Sequence, residues 1–243
     1  MTLVDELVSV VGPVRGPDVA DRICRACVDV LRVDGAALSL VFDGMNVGTL
    51  GVSDPFAATY DEVQFTVGEG PCLDSVGRRE PVLVSDLADP ADDRWPAYRA
   101  TMGAHGIRGV YAMPIAIGGE HVGALDLFNR LPGHLDAEQL AGGLAAAGLA
   151  RWSLLDLAES AFQDVTETGD ATWAHRHGLT RIEVAQATGM LVGQLDLEPT
   201  AALARLRAHA FATGQSASAV ARAILDRRLQ LAADPDPGSA SSR

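Results

Sequence analysis

The residues best placed to do chemistry lie in VGEGPCLDSV, residues 67–76, where Gly68, Gly70, Pro71 and Cys72 fall within six positions. A phosphate-binding loop needs G-x-x-x-x-G-K-[ST], and a dinucleotide loop needs G-x-G-x-x-G after a strand. GEGPC meets neither pattern, and Pro71 removes one amide that an anion-binding nest would use. As a nucleophile, Cys72 would profit from a helix start, where the dipole lowers a thiol pKa. It would also need a histidine and an orienting acid beside it. The structural reading is a tight turn that delivers Pro71 to the first position of a short helix, with Cys72 packed inward.

Other reactive side chains read the same way. Cys24 and Cys27 form a CxxC, but within a helical pattern and with Cys27 on its apolar stripe, so core packing is expected. His175 and His177 form a lone pair in a linker, too few for a metal site. The acidic run DPADDRW lacks the glycine and terminal glutamate of a calcium loop and reads as solvated. The chain has no lysine at all, which excludes a Walker lysine, a kinase ion pair and a pyridoxal Schiff base. No G-x-S-x-G, H-E-x-x-H or kinase signature appears. The expectation is a non-enzyme with no catalytic residue, no metal site and no cofactor.

The elements around these residues form two blocks. GPDVADRICRACVDVLRVDG predicts an amphipathic helix capped by Asp18, with Val19, Ile23, Cys27, Val30 and Leu31 inward and Gly35 as its stop. AALSLVF and NVGTLGVS predict two strands around an Asp43-Gly44 turn. REPVLVSDL predicts a short strand, and RWPAYRATMGAHG a helix. In IRGVYAMPIAIGGEHVGALDLFN, two apolar runs flank Gly118-Gly119, a hairpin, with Pro114 calling for an edge or a bulge. From Asp136 a helix runs to about residue 165. Helix, strands, helix, strands, helix makes an α+β domain with a mostly antiparallel sheet.

After a linker at 166–178, three short helices form a small bundle over 179–232. The first would face inward with Leu179, Ile182, Ala185 and Gly189. The second would use Ala202, Leu203, Leu206, Ala210 and Phe211. The third, capped by Ser216, would use Val220, Ala221, Ile224 and Leu231. Residues 233–243 are composed like a disordered tail.

The net charge of −13 argues against a simple nucleic-acid binder, but the charge is uneven. Residues 1–160 balance at −12, whereas residues 174–231, with seven Arg against four Asp and Glu, balance at +3. Arg181, Arg205, Arg207, Arg222, Arg227 and Arg228 lie on helices whose other faces are apolar. They either solubilise the bundle or meet phosphates and unpaired bases. The first residues, MTLVDELVSVVG, carry acids where a signal peptide has its basic region, and no apolar run is long enough for a membrane span. A cytoplasmic location is expected.

Two families are now visible. VGEGPCLDSVGRREPVLVSDL, RWPAY and GIRGVYAMPIAIGGEHVGALDLFNRLPGHLDAEQL resemble a GAF domain of the actinobacterial type, a likeness that covers residues 15 to about 160 and makes residues 1–160 a sensor unit. RIEVAQATGMLVGQLDLEPTAALARLRAHAFATGQSASAVARAIL resembles an ANTAR domain. The first resemblance implies a six-stranded antiparallel sheet flanked by helices, with a pocket for a small ligand in some members. Phe65, Cys72, Tyr98, Tyr111 and Met113 are its candidate pocket residues here. The second implies a three-helix module that binds paired stem-loops in nascent RNA and so prevents a terminator from forming. The six arginines and Thr188, which stands where many ANTAR domains carry a basic residue, are the candidate RNA-binding positions.

The expected protein is therefore a signal-responsive antitermination regulator. Leu140, Leu144, Leu149, Leu154, Leu155 and Leu157 exceed one packed face of the helix from Asp136 and suggest a homodimer seam. A DNA-binding regulator is an alternative, although SASAVARAIL offers no base-reading side chain near its start. A protein-interaction module that no longer binds RNA is another.

Overall fold

The turn residues fix the sheet. Gly118 and Gly119 adopt φ +61° and +91°, which closes strands β4 (Gly109–Ile117) and β5 (Glu120–Asn129) into a two-residue hairpin. Gly44, at φ +70°, belongs to the matching turn between β1 (Gly35–Phe42) and β2 (Met45–Val52). In the computed structural model, which describes residues 2–15, 18–42, 44–168 and 181–232, these hairpins and β3 (Val82–Val84) form one sheet. Its order is β2-β1-β5-β4-β3, and every pairing is antiparallel. The sheet has five strands among the described residues, where the GAF resemblance implied six. The chain between β2 and β3 is committed to helices α3 (Pro55–Val67) and α4 (Pro71–Arg78). Pro114 lies beyond the end of β3, which pairs only with residues 110–112, and a bulge follows between Ile115 and Ala116. Its missing N–H therefore breaks no ladder on that side.

Alternation along the strands divides the core into two layers. One face carries Leu38, Tyr111, Met113, Ile115, Leu125 and Leu127 against α1 (Leu3–Val11), α2 (Val19–Leu31) and α6 (Ala137–Thr168). The other carries Ala37, Val110, Ala112 and Phe128 against α3 and α5 (Pro96–Ala104). Helix α2 buries all five expected stripe residues, and Ala20, Cys24 and Ala26 besides. Asp18 does not cap it. That carboxylate pairs with Arg22 at 2.6 Å, and the helix ends at Arg32, in the left-handed region, before Gly35. Asp54 caps α3 by accepting from Phe56 and Ala57.

The described residues from 181 to 232 belong to a separate compact unit. Its described helices are α7 (Ile182–Leu195), α8 (Pro199–Thr213) and α9 (Ala217–Leu225), joined by short turns. Ser216 caps α9 through the Ala219 N–H. The inward face of α7 is Val184, Ala187 and Leu191, with Ala185 and Gly189 exposed. The buried stripe lies two positions on from the expected Ile182, Ala185 and Gly189, about 200° around the helix, because branched Val184 and Leu191 bury more than alanine and glycine do. On α8, Ala202, Leu206 and Ala210 are buried, whereas Phe211, expected inward, is 52% exposed. It follows Ala210 by one position, about 100° around the helix. On α9, Val220, Ala221 and Ile224 are buried as expected, and so is Leu231 beyond it. Residues 166–168 of the expected linker are the last of α6, and its remainder at 169–178, with His175 and His177, lies outside the described residues, as do Leu179 and the tail at 233–243.

Candidate ligand face and candidate RNA interface

The corner around Cys72 is built from its glycines and its glutamate. Gly68 ends α3 at φ +73°, and Gly70 precedes α4 at φ +147°. A Cβ on Gly70 would come within 2.3 Å of the Gln64 side-chain oxygen. Pro71 starts α4, as expected. Glu69 caps a different helix: its Oε1 accepts from the Ala97 and Tyr98 N–H groups at the start of α5, at 2.7 and 3.1 Å. Cys72 is fully buried, and burial pushes its thiol well above the usual range, with Asp126 and Asp61 adding to the shift. Cys24 is raised in the same way, and Cys27 is pushed up to about 12. None of the three supplies a thiolate near neutral pH, so the nucleophile reading of Cys72 fails on desolvation despite its place at a helix start.

Beneath this corner, on the α3–α4–α5 side of the sheet, lies a buried polar cluster. Asp61 on α3 accepts from Ser39 of β1, from Asn46 Nδ2 of β2 at 3.0 Å, and from Thr49 of β2. Gln64, one turn further along α3, accepts from the Cys72 N–H at 2.9 Å and reaches Asp126 of β5 at 3.5 Å. Asp126 is fully buried, and burial, reinforced by the Asp61 carboxylate, pushes its carboxyl well above the usual carboxylate range. Both causes favour its protonated form. Burial raises the Tyr98 phenol similarly. Among the described residues, Asp126 Oδ1 and the Tyr98 hydroxyl have no hydrogen-bond partner. Both groups are fully enclosed by the fold. Without a thiolate beside them they offer no nucleophile.

The five candidate pocket residues do not line one pocket. Cys72 and Tyr98 belong to this face, but Tyr111 and Met113 stand on the opposite face of β4, among α1, α2 and α6. The Tyr111 hydroxyl is used there, donating to the Gly133 carbonyl at 2.7 Å. Phe65 on α3 is buried, at 5% exposure. The cluster's own members, Ser39, Asn46, Asp61, Gln64 and Asp126, were missed. One signal was available: in GALDLFN, Asp126 alternates with Ala124 and Phe128 and so points where they point. The acidic run at 89–93 is held by arginine, since Asp92 pairs with Arg94 at 2.7 Å and Arg99 at 3.5 Å. Among the described residues no three His, Cys, Asp or Glu side chains group as metal ligands would, and no helix is long and apolar enough to cross a membrane.

In the C-terminal unit, Arg222, Arg227 and Arg228 are exposed on and just after α9. Arg228 pairs with Asp226 at 2.8 Å, a solvent-facing contact of little energy. Arg227 lines a small recess with Met190, Gln194 and Gln230. Arg205 and Arg207 are half-buried, and two positions on a helix set them about 200° apart, on opposite flanks of α8. Arg205 donates to the Ala232 carbonyl, and burial lowers the pKa of Arg207 from the usual arginine value. Arg181 precedes α7 and is half-buried. Thr188 spends its hydroxyl on its own helix, donating to the Val184 carbonyl at 2.7 Å. The seven positions therefore do not form one patch: α9 and its end carry the exposed charge, and α8 carries one arginine on each flank.

Comparison with known proteins bears on both units. The GAF domain profile matches residues 17–154, more than half of the chain, and the ANTAR domain profile matches residues 175–225. No curated protein matches the chain. Among solved structures, the GAF domain of an Acinetobacter phosphoenolpyruvate-protein phosphotransferase is 14% identical, with 65% of this chain and 96% of that one covered and a TM-score of 0.50. The corresponding GAF domain from Coxiella burnetii is 18% identical, over 67% of this chain and 95% of that one, at a TM-score of 0.49. A free methionine-R-sulfoxide reductase from Neisseria meningitidis, solved with its substrate, is 15% identical over 65% and 89%, at 0.44. At such identities likeness concerns the fold alone, and the Acinetobacter structure is the one of these three that carries it. The chain thus belongs to the GAF domain family and joins to that sensory fold an ANTAR domain, the pairing of a signal-responsive regulator.

Proposed function

We propose that this regulator binds paired stem-loops in nascent RNA through its C-terminal unit and keeps a transcription terminator from forming. The observation that carries the reading is the exposure of Arg222, Arg227 and Arg228 on and just after α9, on a compact helical unit of an otherwise acidic chain. Such a surface attracts backbone phosphate, while the acidic remainder of the chain discourages unspecific nucleic-acid contact. Its place of action would be the cytoplasm, and its signal a small polar molecule bound on the α3–α4–α5 face, where Asp126 and Tyr98 have unspent hydrogen-bonding groups. Two chains would join along α6 and present two RNA-binding units to two stem-loops. The signal acts only if it binds the competent state more tightly than the other.

Fluorescence anisotropy of the full chain with a tandem stem-loop RNA tests this. Salt-dependent binding to that RNA, absent for duplex DNA of equal length, is the expected result. Equal binding to duplex DNA would make the chain a DNA-binding regulator. Binding to neither would leave a protein-interaction module.

A further inference from the structure

Helix α8 is apolar on two sides. Its inner side, Ala202, Leu206 and Ala210, is buried in the unit. Its outer side, Ala201, Ala204, Ala208 and Phe211, repeats at i, i+3, i+7 and i+10 and is exposed, with Ala212 beside it. A surface helix ordinarily places charge on that side. Here PTAALARLRAHAFAT has no acid, and its two arginines stand at the flanks of the outer strip rather than on it. Arg205 and His209 border one edge, and Arg207 borders the other.

The strip is also the floor of a groove. Ala201, Ala204 and Ala208 lie at its bottom, Leu197 and the buried Leu231 with Ala232 line it, and Arg205 and His209 stand on its wall. The opening measures about 620 Å³, within the roughly 300–1,000 Å³ of small-ligand clefts. The bond from Arg205 to the Ala232 carbonyl holds the C-terminal wall against α8 and fixes the guanidinium at the rim. Alanine has no side-chain rotamers to lose, so a flat ring meets this floor at little entropic cost.

Resting on the RNA reading above, we propose that this groove seats an unpaired loop nucleotide of the bound RNA. The base lies on the alanine floor, and Arg205 and His209 meet its edge or its phosphate. The neighbouring base stacks on Phe211, which is 52% exposed. Cations on both edges and no acid on the helix favour a polyanion with flat apolar faces over a protein partner. Phosphate attraction by α9 would then supply affinity, and α8 would tell a loop from a continuous duplex.

The test uses the full chain and a synthetic RNA of two hairpins with 2-aminopurine in each loop. Phe211→Ala and Ala204→Glu, both at exposed positions, should each weaken binding about tenfold or more, the scale of one lost base stack. The wild-type chain should change the 2-aminopurine fluorescence, and neither variant should do so fully. Phe211→Trp should keep the affinity and show its own quenching, which separates lost stacking from lost folding. Binding of the hairpins by all forms alike, with an unchanged 2-aminopurine signal, would overturn the groove while leaving the RNA reading intact. A lower sedimenting mass for Ala204→Glu with unchanged RNA affinity would give the strip to a protein contact and also overturn it. Failure of the wild-type chain to bind the hairpins would remove both readings together.

Discussion

Gln64 and Cys72 are joined across the Gly68–Gly70 corner: the side-chain oxygen of one accepts the main-chain N–H of the other at 2.9 Å. The bond ties the last turn of α3 to the first turn of α4 and satisfies one of the donors that every helix start leaves over. It is possible only because residue 70 has no side chain and sits at φ +147°. Gly70→Ala combines a backbone conformation reserved for glycine with a Cβ inside the Gln64 carboxamide. The expected loss of unfolding free energy is roughly 2–4 kcal/mol, read by denaturant titration of the full chain. A loss below half a kilocalorie would mean the corner relaxes freely.

Asp126 gives the sensory unit a pH dependence of defined sign. In an unfolded chain its carboxyl titrates near about 3.9. Folded, it is held well above that by burial and by Asp61, with Cys72 of α4 and Tyr98 of α5 beside it. Below about pH 4 both states keep the proton, and the group makes no difference. As pH rises further, the folded state retains a proton that the unfolded state has released. Stability then falls with pH, by up to about 1.4 kcal/mol per unit, until the folded pKa is passed. Asp126→Asn, which resembles the neutral acid, should be the more stable form at pH 7, and its advantage should shrink toward pH 4. Thermal melts across that window check this. A substitution that destabilises equally at both ends contradicts a buried neutral carboxyl.

Much of the fold was legible because local chemistry and tertiary demand agree. Gly118-Gly119, Pro71 and Ser216 are each required by the turn or cap they occupy, whatever packs around them. The candidate pocket was less legible. Tyr111 and Met113 share one face of β4, and only knowing which helices cover that face separates them from Cys72 and Tyr98. Asp61 was invisible because ATYDEVQF gives a weak periodic signal, and the helix there is fixed by its Asp54 cap and its packing. In the C-terminal unit, alanine and glycine make helix faces hard to tell apart, so the expected face of α7 lies about 200° from the buried one, and α8 conceals its second apolar side.

The arginines of α8 and α9 should behave differently when removed. Arg222 is exposed, and its side chain serves solvent or a ligand. Arg222→Ala should weaken stem-loop binding and lower the slope of log affinity against log salt by about 1, with an unchanged melting temperature. Arg207 is half-buried and packs its stem beside the core. Arg207→Ala should lower the melting temperature as well, because packed methylenes are lost along with the charge. Titrations at several salt concentrations, paired with melts, separate the two. Identical behaviour would mean that Arg207 stands in solvent.

Helix α6 allows its two sides to be tested independently. Leu154 is 4% exposed within the core of the sensory unit, whereas Leu144 is 45% exposed. Ala141, Gly148 and Arg151 share the outward side with Leu144, and Leu140, Leu149 and Leu155 are half-buried at its margins. The side chain of Leu157 lies outside the described residues. Leu154→Ala should cost about 2–5 kcal/mol of fold stability by opening a cavity. Leu144→Glu should leave the fold intact and, if two chains meet along this side, halve the sedimenting mass by burying a carboxylate at the seam. RNA affinity should fall with it, because a monomer engages the two stem-loops one at a time and loses the gain of linkage. A wild-type chain that sediments as a monomer at all concentrations would rule out the seam, and the paired stem-loops would then need another way to bring two units together.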